Sequence, residues 1–288
     1  MLDDLMTLFR VEAEVYHNAK VCGNWTIRET HPGQTCFHLA TEGECAIQLP
    51  GEERQILKTG DLVIFPREIP HTMCPIQPLD GHEAHLPYDN DLPGTGLLCG
   101  RMLFSHRGFE AVLDALPAVI ILRREDMQGW LEPVFTVIKA ECYRSTSPTS
   151  VVINRLAELI FIMALRHFIS ASEQSIGLLS VLAEPKLAAV LKCIHDSPTE
   201  PWTIETLAHK AGLSRTALAN QFRASSGWTV MQYLVWWRMQ LAWAALQEGN
   251  DVASTAEKVG YRSEAAFSRA FQKAFGISAG AVRRKGKI

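Results

Sequence analysis

Arg269 and Lys273 lie along one line of the stretch GYRSEAAFSRAFQKAFG (260–276), beside Phe267, Phe271 and Phe275 at every fourth position. On a helix this spacing gives one aromatic face and one basic edge. A guanidinium on such an edge can pair with guanine, and either cation can pair with a phosphate oxygen. The same pattern also suits ordinary core or a helix lying on a membrane. Thiols are the second reactive class. Cysteines stand at positions 22, 36, 45, 74, 99, 142 and 193, an odd number with no CxxC pair. That spacing spells neither a zinc ribbon nor a disulfide framework. In a reducing cytosol such residues are expected as thiols, most of them serving as small hydrophobes in packing.

The elements that hold Arg269 and Lys273 belong to an internal repeat. AHKAGLSRTALANQFRASSG (208–227) aligns with AEKVGYRSEAAFSRAFQKAFG (256–276). Ala208, Lys210 and Gly212 precede Ala256, Lys258 and Gly260 by 48 residues; Leu218, Phe222 and Gly227 precede Phe267, Phe271 and Gly276 by 49. Each copy predicts a short helix ended by Gly, a turn, and a second helix started by a Ser N-cap, Ser214 or Ser263. This is helix-turn-helix grammar, written twice. Between the copies, YLVWWRMQLAWAALQEG (233–249) has Leu234, Trp237, Leu241, Ala244 and Ala245 at helical spacing. It is expected as a rigid connector packed between two small cores. Helices held about 34 Å apart can enter successive major grooves.

Charge agrees with an anionic partner. Residues 185–288 hold 14 Lys/Arg against 7 Asp/Glu, a net +7, whereas residues 1–184 hold 14 against 24, a net −10. A basic tail on an acidic front points the tail at a polyanion.

Residues 184–285 resemble the DNA-binding domain of the AraC family of transcriptional regulators, most specifically in the run AEKVGYRSEAAFSRAFQKAFGISAGAVRR. The resemblance implies that the second helix of each motif enters the major groove of a double-stranded DNA operator. One helix, about 214–225, would present Arg215, Thr216, Ala219 and Asn220. The other, about 263–275, would present Ser263, Glu264, Ala265, Ser268 and Arg269. Asn can pair with adenine and Arg with guanine, while Arg223, Arg262 and Lys273 suit phosphate contacts that position without specifying. Glu264 can equally cap its helix or repel phosphate.

The front half reads differently. In TCFHLATEGECAIQLPGEERQILKTGDLVIFPREIPHTM (35–73), short apolar runs alternate with turn residues, as in a small β-barrel or sandwich. GDLVIFPREIPH (60–71) resembles the second conserved motif of cupins, with Glu68 where that motif usually has Gly. In cupin enzymes the His at the place of His71 is a metal ligand. The first motif keeps only His38; Cys36, two residues earlier, points the same way along a strand. Cys36, His38 and His71 are therefore a candidate site for a zinc-like ion. The alternative is a barrel whose histidines line a pocket or satisfy the core, with no cofactor required.

TGLLCGRMLFSHRGFEAVLDALPAVIIL (95–122) is similar to the end of the cupin-like sensor in the AraC-family branch that includes a reactive-chlorine-responsive activator. That resemblance implies oxidisable cysteines at Cys22 and Cys99. His17, Lys20 and Arg101 are near them in sequence, and cations beside a thiol lower its pKa. Residues 125–170 read as two helices, the first interrupted by Pro133. The second, within SVVINRLAELIFIMALRHFIS (150–170), has an apolar face broad enough for either a dimer contact or packing on the barrel.

The expected architecture is α+β in two domains. Residues 1–170 form a cupin-like β-barrel with following helices, 171–183 a linker, and 184–288 an all-α tandem helix-turn-helix domain. At 47% hydrophobic and 20% charged residues, the chain fits a globular protein rather than a disordered one. No apolar run approaches membrane-spanning length, and the acidic start MLDDLMTLFRVEAEV is unlike a signal peptide. A cytoplasmic location with no membrane partner is expected. The expected function is a one-component transcriptional regulator, a homodimer working with RNA polymerase and receiving an oxidant or small-molecule effector. The competing reading, a cupin metalloenzyme with a helical appendage, would need three protein ligands and an open metal position.

Overall fold

The structure, a computed structural model, describes residues 2–29, 32–77, 80–88, 94–104, 107–127, 129–144, 150–171 and 177–285. By contact the chain forms two compact units, one of residues 11–105 and 116–168, the other of 1–10, 106–115 and 169–288. Two helices of the front half, α1 (Leu2–Phe9) and α2 (Glu110–Leu113), thus pack with the C-terminal unit. Sequence order had placed them with the barrel.

The barrel unit is built from β1 (Glu12–Cys22), β2 (Ile27–Glu29), β3 (Thr35–Glu42), β4 (Glu44–Gln48), β5 (Gln55–Lys58), β6 (Leu62–Phe65), β7 (His71–Cys74), β8 (Ala84–Leu86), β9 (Thr95–Leu103) and β10 (Ile120–Leu122). One sheet runs β10-β6-β3-β9-β1-β8 and the other β2-β7-β4-β5. Alternation along β3 sends Cys36 and Ala40 into a core shared with Trp25, Val63, Phe65, Met73, Leu97 and Cys99. Phe37 and Leu39, on the other face, are buried as well. That double burial explains why TCFHLATE reads as a nearly continuous apolar run.

The outer cover comes from α3 (Leu131–Arg144) and α4 (Val151–Ala171). Pro133 sits in the first turn of α3, where its missing N–H costs no helical bond, so it starts the helix rather than interrupting it. Beyond the three residues that pair with β8, β1 is a sheet edge. Glu158 and Asn154 of α4 cover it, accepting from the N–H groups of Ala13 (3.1 Å) and Val15 (3.0 Å). The buried side of α4 carries Ile153, Ile160, Phe161 and Leu165, while Val151, Val152 and Leu159 stay exposed.

The helical unit continues with α5 (Leu178–Ala183), α6 (Pro185–Asp196), α7 (Ile204–Lys210), α8 (Arg215–Ser226), α9 (Val230–Gln247), α10 (Val252–Lys258), α11 (Glu264–Phe275) and α12 (Ala279–Lys285). The expected linker lies partly outside the described residues, at 172–176, and its remainder contains α5. Leu178, Leu179 and Val181 are buried there, and Ser180 Oγ donates to Ser225 O at 2.9 Å. Polar flanks disguised this short apolar helix as a connection.

Helix α9 explains the tryptophan-rich stretch. Its first half buries Tyr233, Leu234 and Trp237, and its second half adds Met239, Ala242 and Leu246 to a core with Phe267, Phe271 and Val282. Being buried by two cores on different sides, it has no single apolar face. Helix α1 docks on the same unit, burying Leu5 and Met6. Asp4 pairs with His195 at 3.1 Å and Arg10 with Glu248 at 2.6 Å.

Candidate functional site

The two helix-turn-helix copies repeat bond for bond. Leu213 N–H donates to Ala208 O at 2.9 Å, and Tyr261 N–H to Ala256 O at 2.9 Å. Gly212 and Gly260 carry the intervening turns at φ +64° and +78°, a region that side chains with a Cβ rarely enter. Ser214 Oγ then accepts from Ala217 N–H at 3.1 Å and Ser263 Oγ from Ala266 N–H at 3.4 Å, each opening the second helix of its motif. Both second helices end on a left-handed Gly, Gly227 or Gly276.

Burial separates structure from function on these helices. Leu218 and Phe222 of α8, and Phe267 and Phe271 of α11, are fully buried, so the aromatic stripe is core. Phe275 is partly buried against Trp243, with ring centroids 4.6 Å apart. Arg215, Thr216, Asn220 and Arg223 are exposed on α8 and Ala219 is half-buried. Arg262, Ser263, Glu264, Ala265, Arg269 and Lys273 are exposed at or on α11, and Ser268 is half-buried. Every anticipated DNA-facing residue thus has at least partial access to solvent. Arg215 Nε also pairs with Glu205 Oε1 of α7 at 3.0 Å, an interaction that sequence spacing did not reveal.

In the barrel, His38 and His71 meet with their Nε2 atoms 2.8 Å apart. His71 Nδ1 is 2.9 Å from Ile69 O. A carbonyl only accepts, so His71 carries its proton on Nδ1 and its Nε2 accepts from His38 Nε2–H. Phe65 stacks on His71 at 4.3 Å. Cys36 lies on the same strand face as His38, but among the described residues no three His, Cys, Asp or Glu side chains form a group suited to a metal ion. Two imidazoles bonded to each other do not make the three-ligand set expected for Cys36, His38 and His71.

His17 joins this cluster, which alternation along β1 did not indicate. A register shift between Val15 and His17 turns His17 to the face of its strand partner Cys99, which also pairs with His38. His17 Nε2 and His38 Nδ1 are buried without a hydrogen-bond partner among the described residues. Burial, aided by the neighbouring His85, pushes the His17 pKa down to about 4. Burial, then His71 and His17, holds His38 well below the usual imidazole range. Burial therefore keeps His17 and His38 neutral at physiological pH.

The thiols divide by access. Cys99 is buried in the barrel core, while Cys22 is half-buried at the end of β1. Opposite Cys99 is His17, five positions before Cys22, roughly 16 Å along the strand. A disulfide needs Cα atoms within about 7 Å, so this fold does not bring Cys22 and Cys99 into bonding range. Two of the cations near them in sequence pair with carboxylates. Lys20 Nζ pairs with Glu42 at 2.9 Å and Arg101 Nη2 with Glu14 at 2.9 Å. Cys45 and Cys142 are pushed up to about 12 by burial and serve as packing thiols.

Comparison with known proteins places both units. A cupin family model matches residues 1–170 and a helix-turn-helix domain model matches residues 207–285. A relative from Streptomyces lividans, named as an AraC-like transcription regulator, is 29% identical, covering 98% of this chain and 97% of its own. The RCS-specific HTH-type transcriptional activator RclR of Escherichia coli (strain K12) is 28% identical, covering 86% of this chain and 84% of its own. The solved DNA-binding domain of AdpA, in complex with a target DNA, is 29% identical over 34% of this chain and 89% of that one, with a TM-score of 0.33. Among the described residues no helix is long and apolar enough to cross a membrane. The chain belongs to the AraC family of transcriptional regulators, as a member that carries a cupin domain ahead of its helix-turn-helix DNA-binding domain.

Proposed function

We propose that this regulator is a cytoplasmic, non-enzymatic activator that reads a duplex operator through α8 and α11 together. The observation that carries this reading is the bond-for-bond repeat, two equally capped helices with exposed polar edges joined by α9. Asn220 and Arg269 contact base edges, and Arg215, Thr216, Ala219, Ser263, Glu264 and Ser268 line the groove-facing surface. Arg223, Arg262 and Lys273 hold phosphates. The exposed Val151, Val152 and Leu159 of α4 supply a homodimer contact, which would place a second pair of readers on the operator. The DNA-bound protein then engages RNA polymerase.

The signal reaches the barrel as an oxidant acting first at Cys22, which is half-buried where Cys99 is buried, converting it to a sulfenic acid. The RCS-specific activator among the relatives supports this class of signal. Oxidation shifts the barrel between two arrangements and so changes operator engagement. Trp25, Phe65 and Met73 pack in the barrel interior. A cavity of about 890 Å³ on the barrel wall, lined by Arg54, Lys58, Arg123 and Arg124 together with Asp61, Glu125 and Glu132, offers a polar small-molecule effector a site as the second reading.

Operator binding by the purified protein, with and without hypochlorous acid, tests the first reading when the state of Cys22 is read by mass spectrometry on the same samples. The expected result is a change in binding that follows Cys22 oxidation and is lost in Cys22→Ser. Oxidation of Cys22 with unchanged DNA engagement contradicts it.

A further inference from the structure

The connector α9 packs into the cores of both motifs, yet a long helix still bends gently along its length. A second link lies off its axis. Arg238, in the middle of α9, sends Nε to Pro198 O at 2.7 Å and Nη2 to Glu200 O at 2.8 Å. Those carbonyls belong to the loop between α6 and α7, the entrance to the first motif. The loop is itself held, with Trp202 Nε1 donating to Ser197 O at 2.8 Å.

The second motif meets the same loop. A Cβ at Gly260 would lie 2.9 Å from Thr199 O, 3.0 Å from Thr199 Cα and 2.9 Å from Arg238 Nη2. Gly260 carries the turn of the second motif, so that turn packs directly on the backbone between Pro198 and Glu200. Arg238 therefore stands where the first motif's entrance loop, the connector and the second motif's turn converge. Its planar fork fixes direction as well as distance, which the rotatable ammonium of Lys does not.

We propose that Arg238 is a positioning residue for DNA recognition: by locking the loop 198–200 against the turn at Gly260, it sets the separation and rotational phase of α8 and α11. This rests on the reading that both helices enter the duplex. One base pair moves a groove contact by about 3.4 Å and rotates it by about 34°. A locked pair of readers discriminates sharply against such a change, whereas a hinged pair follows it.

The test uses the full chain and a duplex selected by the wild-type protein from a random-sequence library. Footprinting locates its two contact segments, and versions with one base pair added or removed between them are made. Wild type is expected to prefer the original spacing by about tenfold or more, given the usual effect of one disrupted base contact. Arg238→Lys keeps the charge and the helix propensity, and is expected to reduce that preference to about threefold or less. Gly260→Ala, which collides with Thr199, is expected to do the same. A uniform loss of affinity with the wild-type spacing preference retained would show a merely structural role and overturn the proposal. A wild-type footprint confined to one groove would instead overturn the two-helix reading and the proposal with it.

Discussion

His38 donates its Nε2–H to Nε2 of His71 across 2.8 Å inside the barrel. A cupin fold commonly places metal ligands here; in this chain the two Nε2 atoms bond each other, and His71 Nδ1 bonds Ile69 O. The neutral state of His17 and His38 is part of the barrel's stability. His17, on the same interior face, has a folded pKa of about 4 against an unfolded value of about 6.5. Between those values the unfolded chain binds the extra proton, so stability is complete above pH 6.5 and falls as pH drops toward 4. The loss from His17 amounts to about 3 kcal/mol. Urea unfolding of the barrel followed across this window should show the decline, and His17→Gln should flatten it. An equal slope in the variant would contradict the assignment.

Helix α1 belongs to the helical unit although it opens the chain. Leu5 is 1% exposed there and Asp4 reaches His195. His195 also bonds Tyr233 at 2.6 Å and stacks on Trp237 at 3.8 Å. Leu5→Ala should therefore lower the stability of the DNA-binding unit by about 2–5 kcal/mol, with the barrel little changed. Native-state hydrogen exchange resolves the two. Weakened protection confined to β1–β10 would be the contrary result.

The thiols give a prediction about access. Cys22 should react with a maleimide at native pH much faster than Cys99, because Cys22 is half-buried and Cys99 is buried. Mild oxidation should leave no Cys22–Cys99 disulfide within one folded chain, since the register of β1 and β9 holds them apart. Peptide mapping after alkylation checks both points. A Cys22–Cys99 bridge formed without loss of the fold would overturn this geometry.

Local chemistry made the C-terminal unit readable. Ser caps, left-handed glycines and apolar positions spaced by four act within a few residues, and their repetition at 48 and 49 residues multiplied a weak signal. What escaped the sequence was tertiary. His17 faces Cys99 because of a register shift that alternation conceals. Leu5 and Leu178 look like unremarkable apolar residues until α1 and α5 dock. Cys36 and His38 share an expected direction along one strand, yet whether they converge with His71 depends on strand twist and side-chain rotamers. The role of Arg238 was not legible, because its partners are backbone carbonyls 38 and 40 residues away.

Operator discrimination by Asn220→Ala and Arg269→Ala tests the central claim most directly. The measurement is the ratio of affinities for a selected duplex and for random DNA at fixed salt. Each variant should lose about 1–3 kcal/mol of that preference, while Lys273→Ala should weaken both duplexes alike and reduce the salt slope by about one. If Asn220→Ala and Arg269→Ala keep the wild-type ratio, α8 and α11 do not read bases through these residues.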